Sequence, residues 1–217
     1  MVDPQLEIAP YLEAAAQKKL RVTHVIETHV QADHVSGARR LAEATGARLC
    51  LHESAKVEFP FRPLRDGEEL TLGNVVATVW HTPGHTPEGI SLVVTDRTRG
   101  AAPWFVLTGD TLFSGSIGRP DLLGEGLEGA LAEQLYESVR RLATLADHVE
   151  VYPAHFSGAA CGKGLSGKPM STIGFERLFN PALRLASKEE FVRFALEGLP
   201  PQPEVFARNR LKNLGRE

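Results

Sequence analysis

The chain has 217 residues, of which 42% are hydrophobic and 24% charged, a composition that suits one globular domain (1–217) with a sizeable core. Its 24 Lys and Arg stand against 27 Asp and Glu, a formal charge of −3 with no block of like charge, which argues against nucleic acid and acidic membrane surfaces as partners. No run approaches the ~18 apolar residues of a membrane span, the start M-V-D-P-Q-L-E carries neither a basic nor an apolar leader region, and Cys50 and Cys161 lie far apart, so the reading is a cytoplasmic protein with reduced thiols.

In chain order, residues 6–20 place Leu6, Ala9, Leu12, Ala16 and Leu20 near one face of a helix, with Asp3 and Pro4 as starting residues. A β-branched segment (22–29) follows and ends in T-H-V-Q-A-D-H-V-S-G, then a helix over 38–45 stopped by Gly46. A short strand (47–52) and a Pro-rich irregular stretch come next. The pattern over 68–80 is a hairpin turning at Gly73-Asn74, and 90–95 with 104–108 read as two more strands. Residues 128–145 form the strongest helix, striped by Leu131, Leu135, Val139 and Leu142. A strand over 148–152, a Gly-rich loop, helices over 173–179 and 188–196, and a Pro-rich, partly ordered tail complete the expectation.

The run from Thr28 to Gly37 concentrates metal-binding and proton-moving side chains: His29, Gln31, Asp33 and His34. It lies at the carboxyl end of a strand, where α/β folds place ligands. A bland alternative is a solvated loop whose Asp33 caps the next helix. Three further candidates each end an apolar run: His85 in W-H-T-P-G-H-T-P, Asp110 in L-T-G-D-T-L-F, and His155 in V-Y-P-A-H-F. Four strand ends carrying His or Asp serve a metal better than any structural need. His24, His52, His81 and His148 fall outside the pattern, and Trp80, Trp104 and Cys50 read as core.

The ordered set His-x-Gln-x-Asp-His, H-T-P-G-H, G-D-T and P-A-H resembles the metallo-β-lactamase superfamily over nearly the whole chain. That resemblance implies a four-layer αβ/βα sandwich with a metal site at one edge of two packed sheets. G-R-P-D after G-D-T-L-F, and P-A-H before S-T-I-G-F-E, look most like persulfide dioxygenases. Two departures stand out. Gln31 occupies the place of the superfamily's second histidine, and the opening V-D-P reads as the end of a missing strand, so the sandwich is expected to lack its first strands or the start to be truncated.

A neutral amide is a poor zinc ligand, so Gln31 removes an imidazole from one site of a two-metal hydrolase. What remains is His29, His85 and Asp110, the two-imidazole, one-carboxylate arrangement of non-haem Fe(II) oxygenases. The resemblance implies one Fe(II) per chain on those residues, with a persulfide such as glutathione persulfide and O2 as substrates, and is compatible with a homodimer. Asp33, His34 and His155 would orient bound water and ligands, or remain as a vestigial second metal site. Arg119 is a candidate for a substrate carboxylate or for a salt bridge with Asp121, and Lys163 and Lys168 are candidates for the substrate's anionic groups. Cys161 reads as a reactive thiol or, more simply, a small loop residue. The rivals are a zinc thioester hydrolase of the glyoxalase II type and a non-catalytic sulfur-relay module.

Overall fold

The computed structural model describes residues 1–124, 126–156 and 161–216. The chain forms two compact units, one built from residues 1–64 together with the segment from 203 onward, the other from residues 65–202.

The first unit contains α1 (Ala9–Gln17), β1 (His24–Ile26), α2 (Ala38–Thr45), β2 (Arg48–His52), β3 (Arg62–Leu64) and, from the far end of the chain, α6 (Val205–Leu214). Its sheet has the order β1-β2-β3, all parallel, with Val25 beside Leu49 and Leu51 beside Pro63. A parallel pair needs a crossover, and α2 supplies it. Leu41 and Ala42 of α2 pack on Val25 with Ile8, Tyr11 and Leu12, while Leu214 of α6 joins Val30 and Leu51. Gly46 ends α2 in the left-handed region at φ 68°.

Helix α1 is shorter than its periodicity suggested. Lys19 takes a positive φ of 54° just past its end, and Leu6 and Leu20 are left exposed. The opening residues, read as the end of a strand, lie at the edge of the first sheet. Met1 to Asp3 run beside β1, with Ile26 N–H donating to Met1 O and Asp3 N–H to Ile26 O, each at 2.9 Å. The segment around Pro63, read as irregular, is β3, and the tail read as partly ordered contains α6.

The second unit is built on a six-stranded sheet in the order β11-β10-β7-β6-β5-β4. Strands β4 (Glu69–Leu72), β5 (Val75–His81), β6 (Ile90–Asp96) and β7 (Phe105–Gly109) form an antiparallel meander, and β10 (Glu150–Pro153) joins β7 in parallel. β11 (Ser171–Thr172) closes that edge, and β8 (Leu112–Phe113) and β9 (Ser116–Ile117) make a small hairpin. The stripe of α3 (Glu128–Leu142) is fully buried: Ala132, Leu135, Val139 and Leu142 pack on Val93, Val106 and Val151. Each buried aliphatic side chain there contributes about 2 kcal/mol of hydrophobic stabilisation. Helices α4 (Ile173–Phe179) and α5 (Lys188–Leu196) begin at Thr172 and Ser187, whose side chains accept from Phe175 N–H and Glu190 N–H.

Trp80 packs half-buried against this core, but Trp104 lies at the surface beneath Arg99, whose guanidinium is 4.0 Å from the ring centroid. Cys50 and Cys161 are buried in different units and share no disulfide. Among the described residues no helix is long and apolar enough to cross a membrane.

Candidate metal centre

In the first unit the ligand turn follows β1 directly. His29 is buried, its Nδ1 2.9 Å from Thr28 Oγ1, and Asp33 Oδ1 meets His34 Nδ1 at 3.0 Å. The turn makes few regular ladder bonds; α6 holds it instead. Asn213 Nδ2 donates to Gln31 O (2.9 Å) and His34 O (2.8 Å) while its Oδ1 accepts from Ser36 N–H (2.9 Å), and Asn209 Nδ2 donates to Asp33 O (3.0 Å). Asp33 therefore does not cap α2. Gly37 occupies that position, with Ser36 Oγ accepting from Ala38 N–H.

Gln31 is completely buried, and among the described residues neither its Oε1 nor its Nε2 has a hydrogen-bond partner. Such an amide costs free energy unless something else binds it. Beneath the turn, Glu27 accepts from Ser36 Oγ at 2.7 Å. Burial holds the Glu27 carboxyl well above the usual carboxylate range; the Asp3 carboxylate adds to the rise and the Ser36 hydroxyl opposes it.

In the second unit three loops converge. The H-T-P-G-H loop closes on itself through Thr82 N–H to Gly89 O and Gly84 N–H to Thr86 O, and Ser138 Oγ of α3 donates to Pro83 O. Gly84 has a φ of +136°, and a Cβ there would come within 2.4 Å of the Leu135 backbone, so only glycine lets the loop approach α3. A register shift at the end of β10 pairs Pro153 with Gly109, which sets Asp110 and His155 side by side: His155 Nδ1 lies 2.7 Å from Asp110 Oδ1. His85 Nε2 lies 3.4 Å from Asp110 Oδ2.

Gly118 is a second close approach, since a Cβ would fall 1.9 Å from Asp110 O. It permits the next residue, Arg119, to offer its backbone carbonyl to His85 Nδ1 at 2.8 Å. A carbonyl only accepts, so Nδ1 carries the proton and Nε2 keeps its lone pair for a metal. His85 Nε2 and an Asp110 carboxylate on a rigid, buried framework suit a divalent transition metal. Asp110, His155 and Cys161 also offer ligand atoms within 4.8 Å of one another.

Of the two readings offered for Arg119, a substrate carboxylate or a salt bridge with Asp121, the structure has the salt bridge. Arg119 has its guanidinium buried, bonded bidentately to Asp121 (2.7 and 2.8 Å) and to Pro200 O (2.8 Å). It serves the site through its main chain. Lys163, a candidate for the substrate's anionic groups, has its Nζ donating to Phe194 O and Glu197 O at the end of α5 and lying 4.3 Å from the Phe194 ring centroid. Burial lowers its pKa, with Glu197 opposing. Lys168 remains exposed beside a cavity lined by Ser114, Met170, Phe175 and Glu176. Cys161 is a buried loop residue whose carbonyl accepts from Arg119 N–H. The Gly-rich loop after His155 falls in part (157–160) outside the described residues.

The sequence reading missed Asn209, Asn213, Asp3 and Thr28. Only the T-H-x-Q-x-D-H run hinted at Thr28, and a polar helix after prolines gave no sign of the two asparagines.

Residues 2–155 match the family model described as the metallo-beta-lactamase superfamily. The chain is 35% identical over 163 residues to the hydroxyacylglutathione hydrolase of Tolumonas auensis, covering 71% of this chain and only 56% of that one. It is 29% identical over 217 residues to the mitochondrial persulfide dioxygenase ETHE1 of Homo sapiens, covering 94% and 73%. The crystal structure of ETHE1 from Myxococcus xanthus superposes with a TM-score of 0.82 at 31% identity, over 100% of this chain and 88% of that one. A family model spanning most of the chain, and a superposition over all of it, carry one conclusion: the chain has the mixed α/β metallo-β-lactamase fold and belongs to the metallo-beta-lactamase superfamily.

Proposed function

We propose that this chain is a mononuclear non-haem Fe(II) persulfide dioxygenase acting on glutathione persulfide or a similar low-molecular-weight persulfide. Gln31 carries the reading: a fully buried neutral amide stands where a two-zinc hydrolase of this superfamily needs an imidazole. The proposed ligands are His29, His85 and Asp110, one iron per chain. The ETHE1 relatives, one named a persulfide dioxygenase, support it.

The overall change is RSSH + O2 + H2O → RSH + sulfite + two protons, in which the terminal sulfur is oxidised and dioxygen reduced. His29, His85 and Asp110 would hold the ferrous ion, which when bound would supply the one-electron chemistry that lets dioxygen react with a closed-shell sulfur. The chain's own part is orientation. His85 is fixed by the Arg119 carbonyl, and Asp110 is held between His85 and His155. Asp33, His34 and His155 would orient water and the ligand side chains by hydrogen bonding. Lys168, exposed on its loop, is the lysine left to meet an anionic substrate group.

The second reading is a zinc thioester hydrolase, favoured by the 35% identity to a hydroxyacylglutathione hydrolase. Elemental analysis of the purified protein with oxygen uptake on glutathione persulfide separates the two. Iron with stoichiometric oxygen consumption, lost in His85→Ala, is expected. Zinc with thioester cleavage and no oxygen uptake assigns the hydrolase, and turnover surviving His85→Ala excludes both.

A further inference from the structure

The first unit contains a partly buried hydrogen-bonded chain that no metal-site motif requires. Asp3 accepts twice from Thr28: Oδ1 from the backbone N–H at 2.7 Å and Oδ2 from the hydroxyl at 2.8 Å. The same hydroxyl oxygen lies 2.9 Å from His29 Nδ1. Asp3 is one of two non-glycine residues with positive φ among the described residues, at 46°. Asp tolerates that region better than most residues, yet it still costs free energy, and such outliers cluster where a side chain must be aimed.

We infer that Asp3 and Thr28 form a relay that fixes the tautomer of His29, making them positioning residues for a metal ligand. The inference rests on the reading of His29 as a ligand given above. A hydroxyl has one proton, and the Asp3 carboxylate, which only accepts, takes it. Thr28 Oγ1 can then only accept from its other neighbour, so His29 must carry its proton on Nδ1. That leaves Nε2, on the far side of the ring from the relay, deprotonated and ready to coordinate.

His85 reaches the same tautomer by a different means, through the Arg119 carbonyl. A carbonyl is an acceptor by nature, whereas a hydroxyl can point either way and needs a third group to decide. Asp3 is that group, and its left-handed backbone is what brings both carboxylate oxygens onto one threonine.

The relay makes an unusual demand on an isosteric substitution. In Asp3→Asn the amide oxygen must still face Thr28 N–H, because two donors cannot share that contact. The NH2 therefore faces the hydroxyl and donates to it. Thr28 Oγ1 must now point its proton at His29 Nδ1, which moves the imidazole proton to Nε2 and blocks the coordinating atom. Shape is unchanged and hydrogen-bond polarity is reversed.

Two measurements on the full chain test this. Long-range 1H–15N correlation on the metal-stripped protein reads the His29 tautomer, and chelator competition reads the affinity for Fe(II) or Zn(II). The wild type is expected to show the Nδ1–H form and Asp3→Asn the Nε2–H form, with affinity reduced roughly ten- to a hundredfold. Thr28→Val is expected to lose affinity comparably and Thr28→Ser to retain it, which a packing role for the threonine methyl would not predict.

An Asp3→Asn protein that keeps the Nδ1–H form and wild-type affinity overturns the relay. So does a Thr28→Ser protein as weak as Thr28→Val, the outcome that also decides the matter if Asp3→Asn does not fold. A reversed tautomer with unchanged affinity sustains the relay and removes His29 from the ligand set, so the two claims fail separately.

Discussion

The two units hold their candidate ligands by different means. In the second, His85, Asp110 and His155 follow strands β5, β7 and β10 of the six-stranded sheet, and glycines let their loops press against neighbouring backbone. In the first, the turn after a three-residue strand is fastened by amide side chains of α6, which lies 176 to 182 residues further along the chain. One arrangement is rigid because of shape and the other because of a few side-chain bonds. Stability and metal binding are therefore expected to respond differently to damage in the two places.

The sharpest way to break the comparison is Gly84→Ala. Overpacking against Leu135 and a φ that alanine resists together are expected to cost about 4 kcal/mol, read as a large fall in the unfolding midpoint. A midpoint near wild type would mean the second unit is not held by close approach.

Asp121→Asn follows, at about 3 kcal/mol, because it leaves the buried Arg119 guanidinium without its carboxylate. Burial pushes the Asp121 carboxyl up, but the Arg119 guanidinium and further hydrogen bonds outweigh it and hold the pKa below the usual value. A depressed carboxylate stabilises the fold above its unfolded pKa, near 3.9, and loses that contribution as pH falls through the folded value. Acid titration of stability should therefore be shallower below about pH 4 in the variant than in the wild type. An identical acid limb would place the ion pair outside the stability of this loop.

Asn213→Ala sharpens the contrast from the other side. Losing bonds to Gln31 O, His34 O and Ser36 N–H is expected to cost about 2 kcal/mol, while metal affinity falls out of proportion to that loss. If chelator competition shows unchanged affinity, α6 is only a structural buttress.

What the sequence made legible follows from this difference. The 3.6-residue stripe of α3 and the period-two hairpin of β4 and β5 are long enough to declare themselves, and the structure has both. Strands β3, β8, β9 and β11 span two or three residues, too short for any period to register. Helix α6 follows Pro200, Pro201 and Pro203 and carries Arg208, Asn209, Arg210, Lys212 and Asn213, so composition pointed to a loose tail. Only tertiary contact explains why it is helical.

The density of histidines and carboxylates marked the candidate loops, but not what orients them. Arg119 shows why. A guanidinium fork fits a substrate carboxylate and Asp121 equally well on paper, and burial alone decides between them. The hydroxyl of Thr28 is equally mute in sequence, since its role depends on a residue 25 positions away.

The clamp of Asn209 and Asn213 on the turn has a consequence for the making of the protein. A ribosome must add 176 residues after Asp33 before Asn209 exists, roughly 10 to 35 s of synthesis. Until α6 has been synthesised the turn lacks the amide brace that shapes it, so its final geometry is expected late, whatever the speed at which β1 and β2 come together.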